Sequence, residues 1–274
     1  MLRYYEKAGL ITPDEIDGSS RYRYYGVCTM QRIQAIRYLI DSGFSLDEIR
    51  RIFEDDDMFA FQKMFEAKIA RTEDSIGYYH QRLDSLRSWC ALLIEGQWVL
   101  NHRQQIITTK YVPARRYFSC EREQDPSDPD AQSYLEIEYF TMSKRNGHSM
   151  VDVGGAFYAR YGSYRERISG RCTRAALLQQ FHPNSRSSSD VVDFGGFMAV
   201  SGYHIGGLSS VPQTYERLVR WADGHSFKLR GDCCERHVLD LYSTGDNGNY
   251  VTEILLPVED DAADFAMLER WEEK

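Results

Sequence analysis

Residues 2–13 read LRYYEKAGLITP, and residues 21–49 read RYRYYGVCTMQRIQAIRYLIDSGFSLDEI. Arg3 to Ala8 has the pattern of a helix tail stopped by Gly9, a residue that takes the left-handed conformation at helix ends. Asp17-Gly18-Ser19-Ser20 reads as a turn, and Arg21-Tyr22-Arg23-Tyr24-Tyr25 follows with high strand propensity. Strand alternation would put Arg21 and Arg23 on one face, free for phosphate, and Tyr22 and Tyr24 on the other, packed on the domain. Thr29 is placed to cap the next helix, whose apolar positions Ile33, Ile36, Leu39 and Ile40 keep helical spacing until Gly43. Ser45 and Glu48 form a capping box that opens a further helix through Phe53.

Beyond this block, residues 69–100 repeat apolar residues every seven positions: Ile69, Ile76, Leu83 and Cys90 in one row, Thr72, Tyr79, Leu86, Leu93 and Leu100 in the other. A heptad repeat of about four turns of the pattern predicts a coiled coil. One amphipathic helix lying on its own domain is the alternative, but Glu73, Asp74, Arg82, Asp84 and Arg87 leave polar residues on both sides of the stripe and favour a second copy as partner. Gly96 and Gln97 weaken the far end.

From Arg103 onward the pattern changes. Strand-like runs cover 105–119, 155–161, 191–203, 235–242 and 250–258, while 131–143 and 212–222 read as helices, the second with Pro212 just inside its start. Residues 183–190 are polar and Ser-rich and read as a loop between two halves, each running strand, helix, strand, with room for a further strand. The expected fold class is therefore α+β, ending in a duplicated βαββ domain.

The bulk properties narrow the class further. With 42% hydrophobic and 27% charged residues the composition is that of an ordinary globular protein, and no apolar run is long enough for a membrane span. The start MLRYYEKAGL has no secretory pattern, so the expected location is the cytoplasm. Cys28, Cys90, Cys120, Cys172, Cys233 and Cys234 form no CxxC pair and no ligand spacing with His, so no metal or other cofactor is expected. The net charge of -8 is unevenly spread. Residues 1–53 carry 8 Lys/Arg against 7 Asp/Glu, while 111–274 carry 18 against 25, so DNA contact belongs to the first part and cations suit the last.

The motifs Leu2-Arg3-Tyr4-Tyr5-Glu6, Gly9-Leu10-Ile11-Thr12-Pro13, Arg21-Tyr22-Arg23-Tyr24-Tyr25 and Gly43-Phe44-Ser45-Leu46-Asp47-Glu48-Ile49 stand in the order and at the separations of a winged helix-turn-helix that resembles the MerR family. With the coiled-coil helix that follows, the resemblance covers residues 2 to about 104. It implies residues 1–53 as a DNA-binding domain, 54–104 as linker helices and a long antiparallel coiled-coil dimerisation helix, and 105–274 as an effector domain. It implies Arg3, Tyr4 and Tyr5 at the recognition-helix end and Arg21, Arg23 and Tyr24 at the wing as DNA contacts. It further implies promoter DNA and RNA polymerase as partners, a homodimer through residues 69–100, and activation by twisting an overlong promoter spacer. The helix, turn and first half of the recognition helix that precede the Leu2 motif in that family are absent from the sequence. A start codon placed too late is the preferred explanation, ahead of a trimmed chain or a protein that no longer binds its operator, and DNA binding by the chain as written is expected to be poor.

Gly195-Gly196-Phe197-Met198-Ala199-Val200, the helix around Tyr215-Glu216-Arg217-Leu218, and residues 250–258 resemble the GyrI-like effector-binding domains of multidrug-sensing regulators. The resemblance implies a cleft between the halves, a strand glutamate at Glu235 that pairs with a small lipophilic cationic ligand, and aromatic walls. Tyr250 is the first candidate for such a wall, with Phe157 and Tyr158 next, and Glu253 reads as a glutamate at the rim. Strand alternation puts Glu235 on one face with Leu239 and Leu241, so a ligand cation, a neighbouring Arg or protonation must compensate its charge, the alternative being a glutamate bonded to Arg236 or a tyrosine hydroxyl. The expected function is a non-enzymatic, effector-responsive transcription regulator. A ligand-sequestering protein and a hydrolase using a cleft glutamate as general base are the rival readings.

Overall fold

The computed structural model describes residues 1–54, 57–102, 106–128, 131–146, 153–181 and 189–259. It divides into two compact units, Met1–Tyr79 and His80–Lys274. Among the described residues no helix is long and apolar enough to cross a membrane.

The first unit comprises α1 (Leu2–Lys7), β1 (Glu15–Ile16), β2 (Arg23–Tyr24), α2 (Val27–Asp41), α3 (Leu46–Glu54) and the beginning of α4 (Met58–His102). Its core is Tyr5, Leu10, Ile11, Ile33, Ile36, Leu39, Phe44 and Ile49, with Phe65 of α4 packed against it. Ser45 and Glu48 cap α3 reciprocally: the Ser45 N–H donates to Glu48 Oε2 at 2.7 Å and the Glu48 N–H to Ser45 Oγ at 3.3 Å. The α2 cap differs from the sequence reading. The helix opens after Gly26, and Thr29 lies inside it, donating to Asp14 Oδ2 at 2.9 Å while the same oxygen accepts from the Gly26 N–H at 2.7 Å. A carboxylate twelve residues upstream thus performs the capping, which no local pattern announces. The hairpin is also shorter than expected. Arg21 sits in the left-handed region at φ 56°, so face alternation breaks there, and Tyr22 and Tyr24 remain exposed instead of packing on the unit.

The second unit is one eight-stranded antiparallel sheet with helices on one side. Its strands are β3 (Ile107–Val112), β4 (Arg115–Glu123), β5 (Val153–Tyr161), β6 (Arg174–Phe181), β7 (Val191–Phe194), β8 (Phe197–Ile205), β9 (Cys233–Leu239) and β10 (Val251–Pro257). The helices are α5 (Ala131–Arg145), α6 (Tyr164–Ile168) and α7 (Val211–Gly224). The spatial order β3-β8-β10-β9-β5-β6-β4-β7 is palindromic: exchanging β3 with β7, β4 with β8, β5 with β9 and β6 with β10 reverses it onto itself. Each half is thus a βαββ unit preceded by one more strand, and that strand pairs with the other half, β3 on β8 and β7 on β4. The halves meet where β5 pairs with β9.

Several boundaries depart from the sequence reading. Run 105–119 is two strands, broken at Pro113-Ala114, and run 191–203 is two strands, broken at Gly195-Gly196. β6 and α6 had no counterpart in the reading, and most of the Ser-rich stretch 183–190 lies outside the described residues. Along α4, Leu92, Gly96 and Val99 are buried with Val238, Leu239 and Val251 on the sheet face opposite the other helices. Ile69, Ile76, Tyr79, Leu83, Leu86 and Leu93 of the heptad pattern are exposed. Gly96 therefore has a packing role, because a Cβ there would fall 2.3 Å from Leu239 Cγ.

Gly195 is the tightest point of the sheet connection. Its φ is 110°, and a Cβ would lie 2.1 Å from the Pro113 carbonyl oxygen. Gly195→Ala should cost about 2 kcal/mol or more through combined strain and backbone displacement, read as a lower denaturation midpoint of the full chain. An unchanged midpoint would contradict the proposed strain.

Candidate functional site

The seam between the halves is the floor of a groove on the helix face, and α5 and α7 fill most of its length. Its floor is Phe157, Ala159 and Tyr161 of β5 against His237, Glu235 and Cys233 of β9, in direct register. Glu235 is 1% exposed and is held by this chain's own groups. Arg167 of α6 forks onto it, Nε to Oε1 at 2.6 Å and Nη2 to Oε2 at 3.2 Å, and the Tyr215 hydroxyl donates to Oε1 at 3.0 Å. The guanidinium also lies 4.9 Å from the centre of the Tyr161 ring. Burial works against the Arg167 charge, but the Glu235 carboxylate more than offsets it and holds the guanidinium ionised. An opening of about 410 Å³ leads to this pair, with Ala131, Gln132, Tyr161, Arg167 and Leu208 in its walls.

Further along the same seam lies an aromatic niche. Phe157 packs edge-on against Tyr139 at 5.4 Å and Phe140 at 6.1 Å, and Tyr242 lies 6.2 Å away. Glu136, His237 and Asp240 supply its polar groups. Burial pushes the Glu136 carboxyl up, towards its neutral form. His237 is 9% exposed, and its Nε2 has no hydrogen-bond partner among the described residues.

The opposite face carries a second charged cluster. Glu253 of β10 is 1% exposed rather than on a rim. Its carboxylate accepts from Arg236 Nε at 2.5 Å, Lys110 Nζ at 2.7 Å and Ser201 Oγ at 2.5 Å. Arg236 reaches on to Glu95 of α4, which also accepts from the Tyr203 hydroxyl at 2.6 Å. Burial would raise the Glu253 carboxyl, but Arg236 and Lys110 overcome it and hold it below the ordinary glutamate value. The five residues named from sequence as ligand contacts are thus distributed over the sheet. Glu235 and Phe157 share the groove, whereas Glu253 and Tyr158 lie on the α4 face, Tyr158 against Tyr117 and Phe194 at 5.6 Å each. Tyr250 stands half-buried in the turn before β10. Arg167 was missed, and Ser163 with Glu166 was its signal: Ser163 Oγ accepts from the Glu166 N–H at 3.3 Å and caps the short helix that presents Arg167.

In the first unit, Arg3, Arg21, Tyr22 and Arg23 surround a concave surface of about 540 Å³ between α1 and the hairpin. Arg23 is anchored by Glu6 at 2.8 Å. Tyr4 and Tyr24 are exposed, whereas Tyr5 is 5% exposed and belongs to the core.

Residues 1–56 match the family model described as MerR HTH family regulatory protein. The chain therefore carries a MerR helix-turn-helix domain at its N-terminus, the DNA-binding part of a transcription regulator. No curated protein matches. Among solved structures, the EcmrR–DNA complex in EcmrR-RPo, determined by cryo-electron microscopy, is 18% identical over 94% of this chain and 94% of that one, with a TM-score of 0.44. A hydrolase encoded by lin2189 from Listeria innocua is 13% identical over 57% of this chain and 93% of that one, with a TM-score of 0.39. SAV2435 bound to tetraphenylphosphonium is 10% identical over 56% and 94%, with a TM-score of 0.35.

Because its folded pKa is depressed, Glu253 contributes stability that is complete above the ordinary glutamate value of about 4.3 and is lost as pH falls below it towards the folded value. Glu253→Gln should cost about 3–5 kcal/mol at neutral pH, since it leaves Arg236 and Lys110 short of a buried partner. Urea titrations of both proteins at neutral and acid pH check this; the gap between the curves should narrow on acidification.

Proposed function

We propose that the chain is a ligand-responsive transcription regulator whose N-terminal unit engages promoter DNA and whose groove takes a small lipophilic effector. The observation that carries the reading is the concave basic surface of Arg3, Arg21 and Arg23 on a domain that matches the MerR HTH family. Guanidinium groups on a concave surface suit phosphate because each fork donates two parallel hydrogen bonds. Arg3 and Arg21 are exposed and serve as direct phosphate contacts, as do the hydroxyls of Tyr4 and Tyr24; Arg23, tied to Glu6, also fixes the hairpin against α1. Tyr5 acts from the core by holding α1 in place.

The exposed apolar stripe of α4 supports a homodimer, since Ile76, Leu83 and Leu86 repeat along one side of a 45-residue helix. α4 starts in one unit and ends in the other, so it is the covalent path by which an occupied groove acts on promoter DNA and, through it, on RNA polymerase in the cytoplasm. Binding is favoured over hydrolysis at Glu235. The carboxylate is 1% exposed and is surrounded by three donors from Arg167 and Tyr215, which leaves little room for a water to be activated beside it.

Gel-shift titrations with DNA from upstream of the gene test the regulator reading. The chain as written should shift this DNA weakly, at low salt, and Arg21→Ala should weaken it further and lower the slope of log K against log salt by about one, whereas no shift by the wild type even at low salt would refute the reading. The dimer has its own measurement: Leu83→Asp with Leu86→Asp should convert a dimer to a monomer in analytical ultracentrifugation.

A further inference from the structure

The groove already contains a cation. Arg167 occupies the carboxylate of Glu235 with two hydrogen bonds and covers the Tyr161 face, so the acid and the aromatic surface that would receive a lipophilic cation are both taken by a side chain. The Tyr215 hydroxyl completes the carboxylate's partners from α7. Charge at this point is balanced within the protein. A ligand cation would have to displace a half-buried, bidentate guanidinium, whereas an uncharged ligand leaves the pair intact.

What the groove leaves unsatisfied is a neutral hydrogen-bonding position. His237 follows Glu235 by two residues on the same face of β9, roughly 7 Å along the strand. Its Nε2 is buried without a hydrogen-bond partner among the described residues, beside Phe140, Phe157 and Tyr242. An unpaired polar atom in an apolar niche is costly, so a ligand group that bonds it is favoured. The niche holds only about 10 Å³ as it stands. Tyr242, 47% exposed and packed on Phe140 and Phe157, is the most exposed ring of the niche and would have to swing out to admit an aromatic ring.

Resting on the groove reading above, we infer that the effector is an uncharged aromatic molecule with a polar atom that hydrogen-bonds His237 Nε2, and that Arg167 acts as a resident cation selecting against lipophilic cations. Other carboxylates near the seam do not reverse this selection. Glu136 accepts from Gln132 Nε2 at 3.4 Å, Asp240 accepts from the Tyr242 N–H at 3.0 Å, and Asp125 is exposed and accepts from Ser127. Asp128, half-buried, lines the opening further out.

Two probes of similar shape test the inference by calorimetry on the full chain: triphenylphosphine oxide, neutral with a strong acceptor, and tetraphenylphosphonium, a monocation. The wild type should bind the oxide at least about tenfold more tightly than the cation. His237→Phe, which puts a phenyl ring in place of the imidazole and removes Nε2, should weaken the oxide about tenfold and leave the cation unchanged. Arg167→Gln should gain about tenfold or more for the cation by freeing Glu235, and the Arg167→Gln, Glu235→Gln double variant, which leaves no unpaired charge, should show no such gain. Equal wild-type affinity for both probes, or tighter cation binding, overturns the inference, as does an Arg167→Gln chain that folds without gaining cation affinity. Should Arg167→Gln fail to fold by circular dichroism, the wild-type probe ratio and the double variant still decide. Binding of neither probe at millimolar concentration refutes the groove itself, a separate outcome from binding with the wrong charge preference.

Discussion

A carboxylate kept ionised inside a protein has to be met by a fixed positive partner, and β9 imposes that requirement on both faces of the sheet. Successive side chains of a strand point to opposite sides. Glu235 therefore enters the groove, where Arg167 meets it, and Arg236 enters the α4 face, where Glu253 and Glu95 meet it. Everything around β9 is arranged to deliver those partners. α6 is five residues long, yet it projects Arg167 to the seam; α7 brings Tyr215; β3 crosses to the other half and brings Lys110. The palindromic strand order puts β9 and β5 at the centre, the position most remote from a sheet edge, where unpaired charge is least tolerable.

Legibility followed the range of the interaction. The Ser45 capping box lies within one helical turn, and the structure shows both of its hydrogen bonds. That residues 69–100 form one long helix was readable for the same reason, since one helix carries the whole pattern, and the duplicated βαββ order emerged from alternating strand and helix signals. What needed distant partners was missed. Asp14 caps α2 across twelve positions, so Thr29 was given the capping role it does not have. β6 reads RAALLQQF, a string of good helix formers that becomes a strand because its neighbours β4 and β5 are strands. Glu235 was correctly read as needing a compensating charge, but the candidates considered for that role, Arg236 and a tyrosine, included only half of the answer. Arg167 lies 68 residues away on a helix too short to show periodicity. Glu253 and Glu235 were grouped as ligand contacts because both are strand glutamates. The register Glu253↔Arg236 and Ile254↔Glu235 separates them onto opposite faces, and only pairing across strands reveals that.

The contact between α4 and the sheet shows what the buried charges contribute beyond stability. Leu92, Gly96 and Val99 against Val238, Leu239 and Val251 supply an apolar interface that is non-directional, and such a surface alone tolerates sliding of the helix. Desolvating Glu95 and Arg236 costs free energy that better apolar packing would avoid, so their value is not simply added stability. Hydrogen bonds from Arg236 and the Tyr203 hydroxyl to one carboxylate are satisfied in a narrow range of positions, and Gly96, which brings the helix backbone against Leu239, removes the alternatives one turn away. The helix is held in one register on the sheet. Arg236, which sets that register, is joined by a single peptide bond to Glu235, which sets the charge of the groove. A change at either residue is thus felt at the other through the least compliant element available, the backbone of a central strand hydrogen-bonded on both sides.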